Sequence, residues 1–149
     1  MIGLLQRVTE ARVSVGSEVL AEIGVGLVVL VGIERGDTAT EAARLARRLI
    51  DYRVFPDASG RMNLSLKDAG GDLLLVPQFT LVADTERGNR PGFSRAAEPA
   101  MAKPLFAALV SAAEQCGATV STGRFGADMQ VYLCNDGPVT ISLRIAPGD

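Results

Sequence analysis

Two short segments hold the residues best suited to chemistry. Pro77-Gln78-Phe79-Thr80-Leu81 gathers an amide, an aromatic ring and a hydroxyl; Asn135-Asp136-Gly137-Pro138-Val139-Thr140 gathers an amide, a carboxylate and a glycine-proline bond. Thr80 offers a hydroxyl nucleophile, but such a group needs a base to activate it. The chain has no histidine. That removes Ser-His and Cys-His pairs, His-ligated zinc and the usual general base near neutral pH. Catalysis would have to use carboxylates, hydroxyls, backbone dipoles or the substrate itself. On a strand, Gln78 and Thr80 would share a face, either as an exposed polar edge or as groups turned to a substrate. Pro77 cannot donate to a sheet ladder, so pairing is expected to stop there and leave the next N–H groups free. Asn135-Asp136-Gly137 reads on its own as a hairpin turn between two strands. The following proline adds a bond whose cis form costs only about 0.5–1 kcal/mol, and a cis bond would redirect the flanking carbonyls.

The elements that position these segments follow from periodicity. Ile2, Leu4, Gln6 and Val8 mark a first strand, and Val13–Val15 and Val19–Ile23 form a hairpin around Gly16-Ser17. Leu27–Ile33 is too continuously apolar to be exposed on one face. Thr38 and Glu41 form a capping-box pattern, and Ala42, Leu45, Ala46, Leu49 and Ile50 repeat at helical spacing, predicting a helix over Thr38–Tyr52. Leu64–Asp68 reads as a short extended piece closed by Gly70-Gly71, and Leu73–Phe79 as a central strand. A polar stretch of about fifteen residues follows, the length of a functional or mobile loop. A second helix runs from Pro99 or Met101 to Cys116, closed by Gly117, with Leu105, Phe106, Leu109, Val110 and Ala113 inward. Val120–Gly126 is extended, and Met129–Leu133 and Val139–Ile145 are strands. This order predicts a single α+β domain over residues 1–149: a layered β/β/α arrangement with two main helices packed on a curved, mostly antiparallel sheet.

Composition narrows the function classes. A chain of 149 residues fits one domain and needs no disulfide or metal to hold its core. Cys116 and Cys134 form no C-x-x-C pair and read as reduced, packed thiols. The longest apolar run, Leu27–Val31, is too short to span a membrane, and the start of the chain reads as a strand, so the expected location is the cytoplasm. No metal or cofactor is expected, and Asp128 and Asp136 read as turn and surface residues. The net charge of −2 does not announce nucleic acid. Locally, however, Arg87, Arg90 and Arg95 cluster in the long loop, with Arg124 beyond.

Together the two segments resemble the signature motifs of the D-aminoacyl-tRNA deacylases, S-Q-F-T-L and N-x-G-P-V-T. Leu5-Gln6-Arg7-Val8, Arg61-Met62-Asn63-Leu64-Ser65, Gly88-Asn89-Arg90-Pro91 and Thr122-Gly123-Arg124-Phe125-Gly126-Ala127-Asp128-Met129 also resemble family segments, in the expected order. Pro77 departs from the family's serine. A related animal group that clears L-alanine from mischarged tRNA has proline there but differs at the next positions, where this chain keeps Phe79.

The resemblance implies an enzyme that hydrolyses the ester of a D-amino acid on tRNA, and of glycine mischarged on the alanine tRNA. It implies a homodimer in which a cis Gly137-Pro138 bond reaches into the partner's active site and rejects L-residues by steric exclusion. Arg7 would orient that segment, Met129 would share in substrate binding and chiral selection, and Asn135 and Thr140 would join the site. Gln78, with the Phe79 and Thr80 backbone, would hold the ester, beside Pro77. Two routes remain open, a covalent Thr80 and water attack assisted by the RNA 2′-hydroxyl. Arg87, Arg90 and Arg124 are the tRNA contact candidates; no DNA or membrane partner is expected. Three alternatives stand: a non-catalytic aminoacyl-tRNA-binding module, a structural dimer without RNA, or an editor of L-alanyl and glycyl esters.

Overall fold

The computed structural model describes residues 1–148. In chain order the elements are β1 (Ile2–Val15), β2 (Glu18–Ile23), β3 (Gly26–Gly32), α1 (Ala39–Asp51), β4 (Phe55–Pro56), β5 (Met62–Leu64), α2 (Leu66–Ala69), β6 (Asp72–Pro77), a 3-10 turn at Phe79–Val82, α3 (Pro99–Gln115), β7 (Val120–Thr122) and β8 (Gln130–Arg144). The main sheet runs β2-β1-β3-β6-β7, and β8 pairs with β1. β1 is antiparallel to β2, β3 and β8, whereas β3–β6 and β6–β7 are parallel. Parallel neighbours need a crossover; α1 lies on the first and α3 on the second. β4 and β5 form a separate small hairpin.

Strand alternation builds two apolar layers, giving the α+β layered fold. Leu5, Leu27, Val29, Val31, Leu73 and Leu75 face α1 and α3, meeting Leu45, Leu49, Phe106 and Leu109. Val28, Leu74 and Val76 face the other way, toward Val8, Val13 and Ile23. β1 serves both layers. Its pairing with β8 shifts register between Gln6 and Val8 and again between Val8 and Glu10. Such bulges bend strands, and β1 and β8 curl over to make the sheet nearly barrel-shaped, with β2 brought against β6 and β7.

Local signals explain several boundaries. Thr38 caps α1: its hydroxyl accepts from Thr40 N at 3.2 Å, and the Glu41 carboxylate accepts from Thr38 Oγ1 at 2.6 Å and Thr38 N at 2.8 Å. The hydroxyl bond first, then the N–H bond, holds the Glu41 carboxyl below the usual carboxylate range. The Met1 ammonium ties the sheet to the start of α1. It lies 2.7 Å from Asp37 Oδ1 and 3.2 Å from Glu34 Oε2, and donates to Ile145 O at 2.8 Å. Both Met1 and the Asp37 side chain are essentially inaccessible to water.

Three expectations are corrected. The extended piece at Leu64–Asp68 is instead the end of β5 followed by the one-turn α2, because Ser65 and Asp68 form their own capping box. The strand expected to reach Phe79 stops at Pro77. The strands expected at Met129–Leu133 and Val139–Ile145 are the single strand β8, both halves of which pair with β1. Asn135-Asp136-Gly137-Pro138 is therefore a bulge in a continuous strand and not a hairpin turn.

Candidate active site

The first cluster forms where β6 ends. Pro77 is the last residue of β6 and pairs with Val31; Gln78 N donates to Val31 O at 2.7 Å. The chain then folds into the 3-10 turn, with Leu81 N donating to Gln78 O at 3.3 Å and Ala83 N to Thr80 O at 3.2 Å. The first N–H groups of a helical turn have no partner within it. Among the described residues, no acceptor meets the N–H of Phe79 or Thr80. Two donors are thus left free, one residue later than proline's effect on the ladder alone would place them. Gly32 allows the turn to sit here: a Cβ at this residue would lie 2.9 Å from Val82 Cγ2 and 3.0 Å from Leu81 Cβ.

Gln78 and Thr80 do face each other, through the turn and not through strand alternation. The Gln78 amide donates to the Thr80 hydroxyl. Beside them lies an apolar cavity of about 400 Å³, lined by Val31, Ile33, Pro77, Phe79, Phe93 and Phe125, with Gln78 and Glu98 among its polar residues. Phe79 is 60% exposed, and its ring meets Phe93 edge-on at 5.0 Å. Phe93 and Phe125 are aromatic lining residues that were not among the candidate site residues. Phe93 was legible as the one aromatic in an otherwise polar loop. Met129 lies on this side: its sulfur accepts from Arg124 N at 3.3 Å and stands 2.8 Å from where a Gly123 Cβ would be, a point 3.5 Å from Pro77 Cδ.

The second cluster is the β8 bulge. Thr140 pairs with Gln6 and Asn135 with Val8, so residues 136–139 loop out opposite Arg7. The Gly137-Pro138 bond is cis. Side chains close the neck of the loop. Asn135 Nδ2 donates to Arg7 O at 2.9 Å and Val139 O at 3.0 Å; Thr140 Oγ1 donates to Asn135 Oδ1 at 3.1 Å and accepts from Gln6 Nε2 at 3.3 Å. Arg7 fills the space beneath. Its Nε lies 3.2 Å from both the carbonyl oxygen and the Oδ2 of Asp136, and its Nη1 donates to Val54 O at 2.6 Å. Gly137 has φ +119, and a Cβ there would stand 2.9 Å from Arg7 Nη2 and 3.0 Å from Val139 Cγ2. Arg7, Asn135, Gly137, Pro138 and Thr140 therefore come together, and Gln6 joins them.

The two clusters do not meet within the chain. They are separated by the strand order β8-β1-β3-β6 and by five residues of register. With strands about 4.8 Å apart and about 3.3 Å per residue, the bulge lies roughly 20 Å from Gln78 along the sheet. No bulge residue lines the cavity beside Gln78. A wider groove of about 780 Å³ over Arg12, Glu22, Tyr132 and Cys134 touches neither cluster.

The basic candidates separate as well. In the long loop Asp84 and Gly92 exchange backbone hydrogen bonds at 2.7 and 3.0 Å, and Arg87 and Arg90 are exposed. Among the described residues neither has a carboxylate partner. Arg124, in contrast, pairs with Glu18, 3.2 Å from each carboxylate oxygen. Among the described residues, no group of three or more metal-ligating side chains is assembled, and no helix is long and apolar enough to cross a membrane.

The sequence model for D-Tyr-tRNA(Tyr) deacylase matches residues 4–144. The chain belongs to that deacylase family. A D-aminoacyl-tRNA deacylase of Methylococcus capsulatus is 57% identical to it over 147 residues, covering 99% of this chain and 96% of the relative. A solved structure described as c-Myc DNA Unwinding Element Binding Protein superposes with a TM-score of 0.93 at 38% identity, covering 98% of this chain and 99% of the other. A probable eukaryotic D-amino acid tRNA deacylase shares the fold, with a TM-score of 0.79 at 17% identity and coverage of 97% and 98%. Both motif clusters fall inside the stretch matched by the family model.

Proposed function

We propose that this chain is a D-aminoacyl-tRNA deacylase, hydrolysing the ester that joins a D-amino acid to the terminal adenosine of tRNA, in the cytoplasm where charged tRNA is found. The observation that carries the chemistry is the pair of unmet N–H groups at Phe79 and Thr80, beside an apolar cavity. Ester hydrolysis builds negative charge on the carbonyl oxygen, and donors fixed in advance stabilise it; losing one costs about 10²–10³ in rate. The Gln78 amide positions the ester, and the cavity between Phe79, Phe93 and Phe125 suits a flat aromatic group such as a nucleobase, whose faces stack on rings.

Water is the nucleophile in this reading, assisted by the vicinal 2′-hydroxyl of the RNA. The partner of the Thr80 hydroxyl supports this: it is the Gln78 amide, a donor, which cannot remove the threonine proton.

Selection of the D-hand falls to Gly137 and Pro138, supplied by a second copy of the chain. The roughly 20 Å between the clusters favours this arrangement, because one ester could not touch both in a single protomer. Main-chain carbonyls near Gly137 bind the substrate ammonium, and an L-side chain meets the Gly-Pro backbone. The Asp136 carbonyl is already engaged by Arg7, which leaves those of Gly137 and Pro138 as the acceptors. Glycine, having no side chain to clash, passes the filter, so glycyl-tRNA(Ala) is a second substrate.

A deacylation panel with D-tyrosyl-, L-tyrosyl-, glycyl- and L-alanyl-tRNA tests the whole reading. Rapid release from the D-tyrosyl and glycyl esters, with L-tyrosyl-tRNA spared, is expected. Binding without hydrolysis would make the protein a non-catalytic module. Release of L-alanine would make it an L-alanyl editor, the reading that Pro77 favours.

A further inference from the structure

We propose that the end of α1 and the β4–β5 hairpin form a docking ground for the phosphate backbone of RNA, through Arg53 and Arg61 with Arg47 and Lys67 beside them. The identity of the RNA as tRNA rests on the deacylase reading above. The charge of this surface is local. From Ala42 to Gly71 the chain carries six Arg or Lys and three Asp, with no Glu, within a protein of net charge −2.

Like Arg87 and Arg90 in the long loop, these cations have no carboxylate partner among the described residues. Elsewhere Arg35 pairs with Glu98, Arg95 with Glu86, Arg124 with Glu18 and Arg144 with Glu34, and Arg12 lies over the Tyr132 ring at 4.4 Å. Arg47, Arg48, Arg53, Arg61 and Lys67 are all exposed; Arg48 lies over the Tyr52 ring at 5.7 Å, and among the described residues none of the five has a carboxylate within salt-bridge distance. Arg53 reaches only Asn63 Oδ1, at 3.4 Å. The acids nearby are largely turned to their own turns. Asp57 accepts from Ser59 and Arg61 N, and Asp68 from Ser65, although Arg53 and Lys67 also act on Asp68. Asp51 remains as the opposing charge at the end of α1.

The surface is also placed beside the Gly137 bulge. Arg53 directly precedes Val54, whose carbonyl accepts from Arg7 Nη1. An RNA end presented to that bulge would bring its sugar-phosphate chain past the hairpin. Each phosphate neutralised releases counterions, so affinity falls with salt at a slope of about 0.7–0.9 per contact.

The test is the double variant Arg53→Gln/Arg61→Gln. Binding of uncharged tRNA is measured over a salt series, and hydrolysis of D-tyrosyl-tRNA is compared with that of D-tyrosyl-adenosine. The expected result is about tenfold weaker tRNA binding and a salt slope shallower by about 1.5. KM for the tRNA ester should rise, with kcat and all hydrolysis of the adenosine ester unchanged. Arg53→Lys/Arg61→Lys should restore most of the affinity. Unchanged tRNA affinity and slope in the glutamine variant would overturn the proposal. So would an equal loss on the adenosine ester, which would mark a structural role. If the wild-type protein cleaved neither ester, the deacylase reading would fail, and the binding series would still decide the surface.

Discussion

Gly137→Ala places a methyl group where the bulge has no room for it. The backbone there has φ +119, and the added Cβ would stand 2.9 Å from Arg7 Nη2 and 3.0 Å from Val139 Cγ2. A side chain in that region of backbone space costs about 1–3 kcal/mol. Arg7 cannot simply swing away, because its Nη1 is held by Val54 O at 2.6 Å and its Nε by Asp136 O at 3.2 Å. Releasing either bond, each donated by a charged guanidinium, adds about 1.5–3 kcal/mol. The total is about 4 kcal/mol, which for a domain of this size lowers Tm by about 8–16 °C. The same adjustment moves the bulge carbonyls, and a misplacement of about 1 Å at a reacting group costs about 10²-fold in rate. The assay is thermal unfolding at matched protomer concentration, paired with kcat on D-tyrosyl-tRNA well below either Tm. A variant with the wild-type Tm and turnover would refute both the crowding argument and the placement of the ammonium pocket at Gly137.

Three other expectations follow. Thr80→Ala should keep D-tyrosyl-tRNA turnover within about tenfold of the wild type, since removal of a covalent nucleophile costs far more; loss of turnover with tRNA binding intact would restore Thr80 as the nucleophile. Asp37→Ala should destabilise the fold by about 3 kcal/mol in urea unfolding, because it strips a buried partner from the Met1 ammonium 2.7 Å away; an unchanged midpoint would show that Glu34 alone suffices. Glu41 has a carboxyl held below its ordinary range by Thr38, so its contribution is present above that range and is lost as pH falls through the lowered value. The Tm gap between wild type and Glu41→Gln should therefore be open at about pH 7 and close toward about pH 3; a gap independent of pH would remove the carboxylate from the account.

The parts of the fold that could be read in the sequence are those decided locally. Thr38 and Glu41 announced α1 to within a residue, and the continuous apolar run of β3 announced a strand buried on both faces. α2 was missed although Ser65 and Asp68 carry the same capping chemistry, because a helix of four residues is too short to show a helical period. The bulge was read as a turn for a different reason. Asn-Asp-Gly favours reversal wherever it stands, and only the identity of the facing strand separates a hairpin from a loop-out. Here β1 is long enough, at 14 residues, to pair with both halves of β8. The gathering of Arg7, Asn135 and Thr140 was implied by motif resemblance, but no spacing could reveal that Asn135 closes the neck of the loop. Nor could spacing show that Phe93 and Phe125 converge on Phe79 from the long loop and from the segment after β7.

The bulge also has a consequence for the alternation of β8. Between the Gln6–Thr140 and Glu10–Cys134 pairs, β8 advances two residues more than β1. A strand's faces alternate with a period of two, so one extra residue would turn every later side chain inside out, while two leave the pattern intact. Odd-numbered positions are accordingly the less exposed ones on both flanks, Val131 and Leu133 packing against the Val28 and Leu74 layer and Ile141 and Leu143 against the Leu5 and Leu27 layer. A change of two residues in the length of this loop would therefore keep the alternation of both flanks, whereas a change of one would reverse it on one flank and expose apolar side chains there.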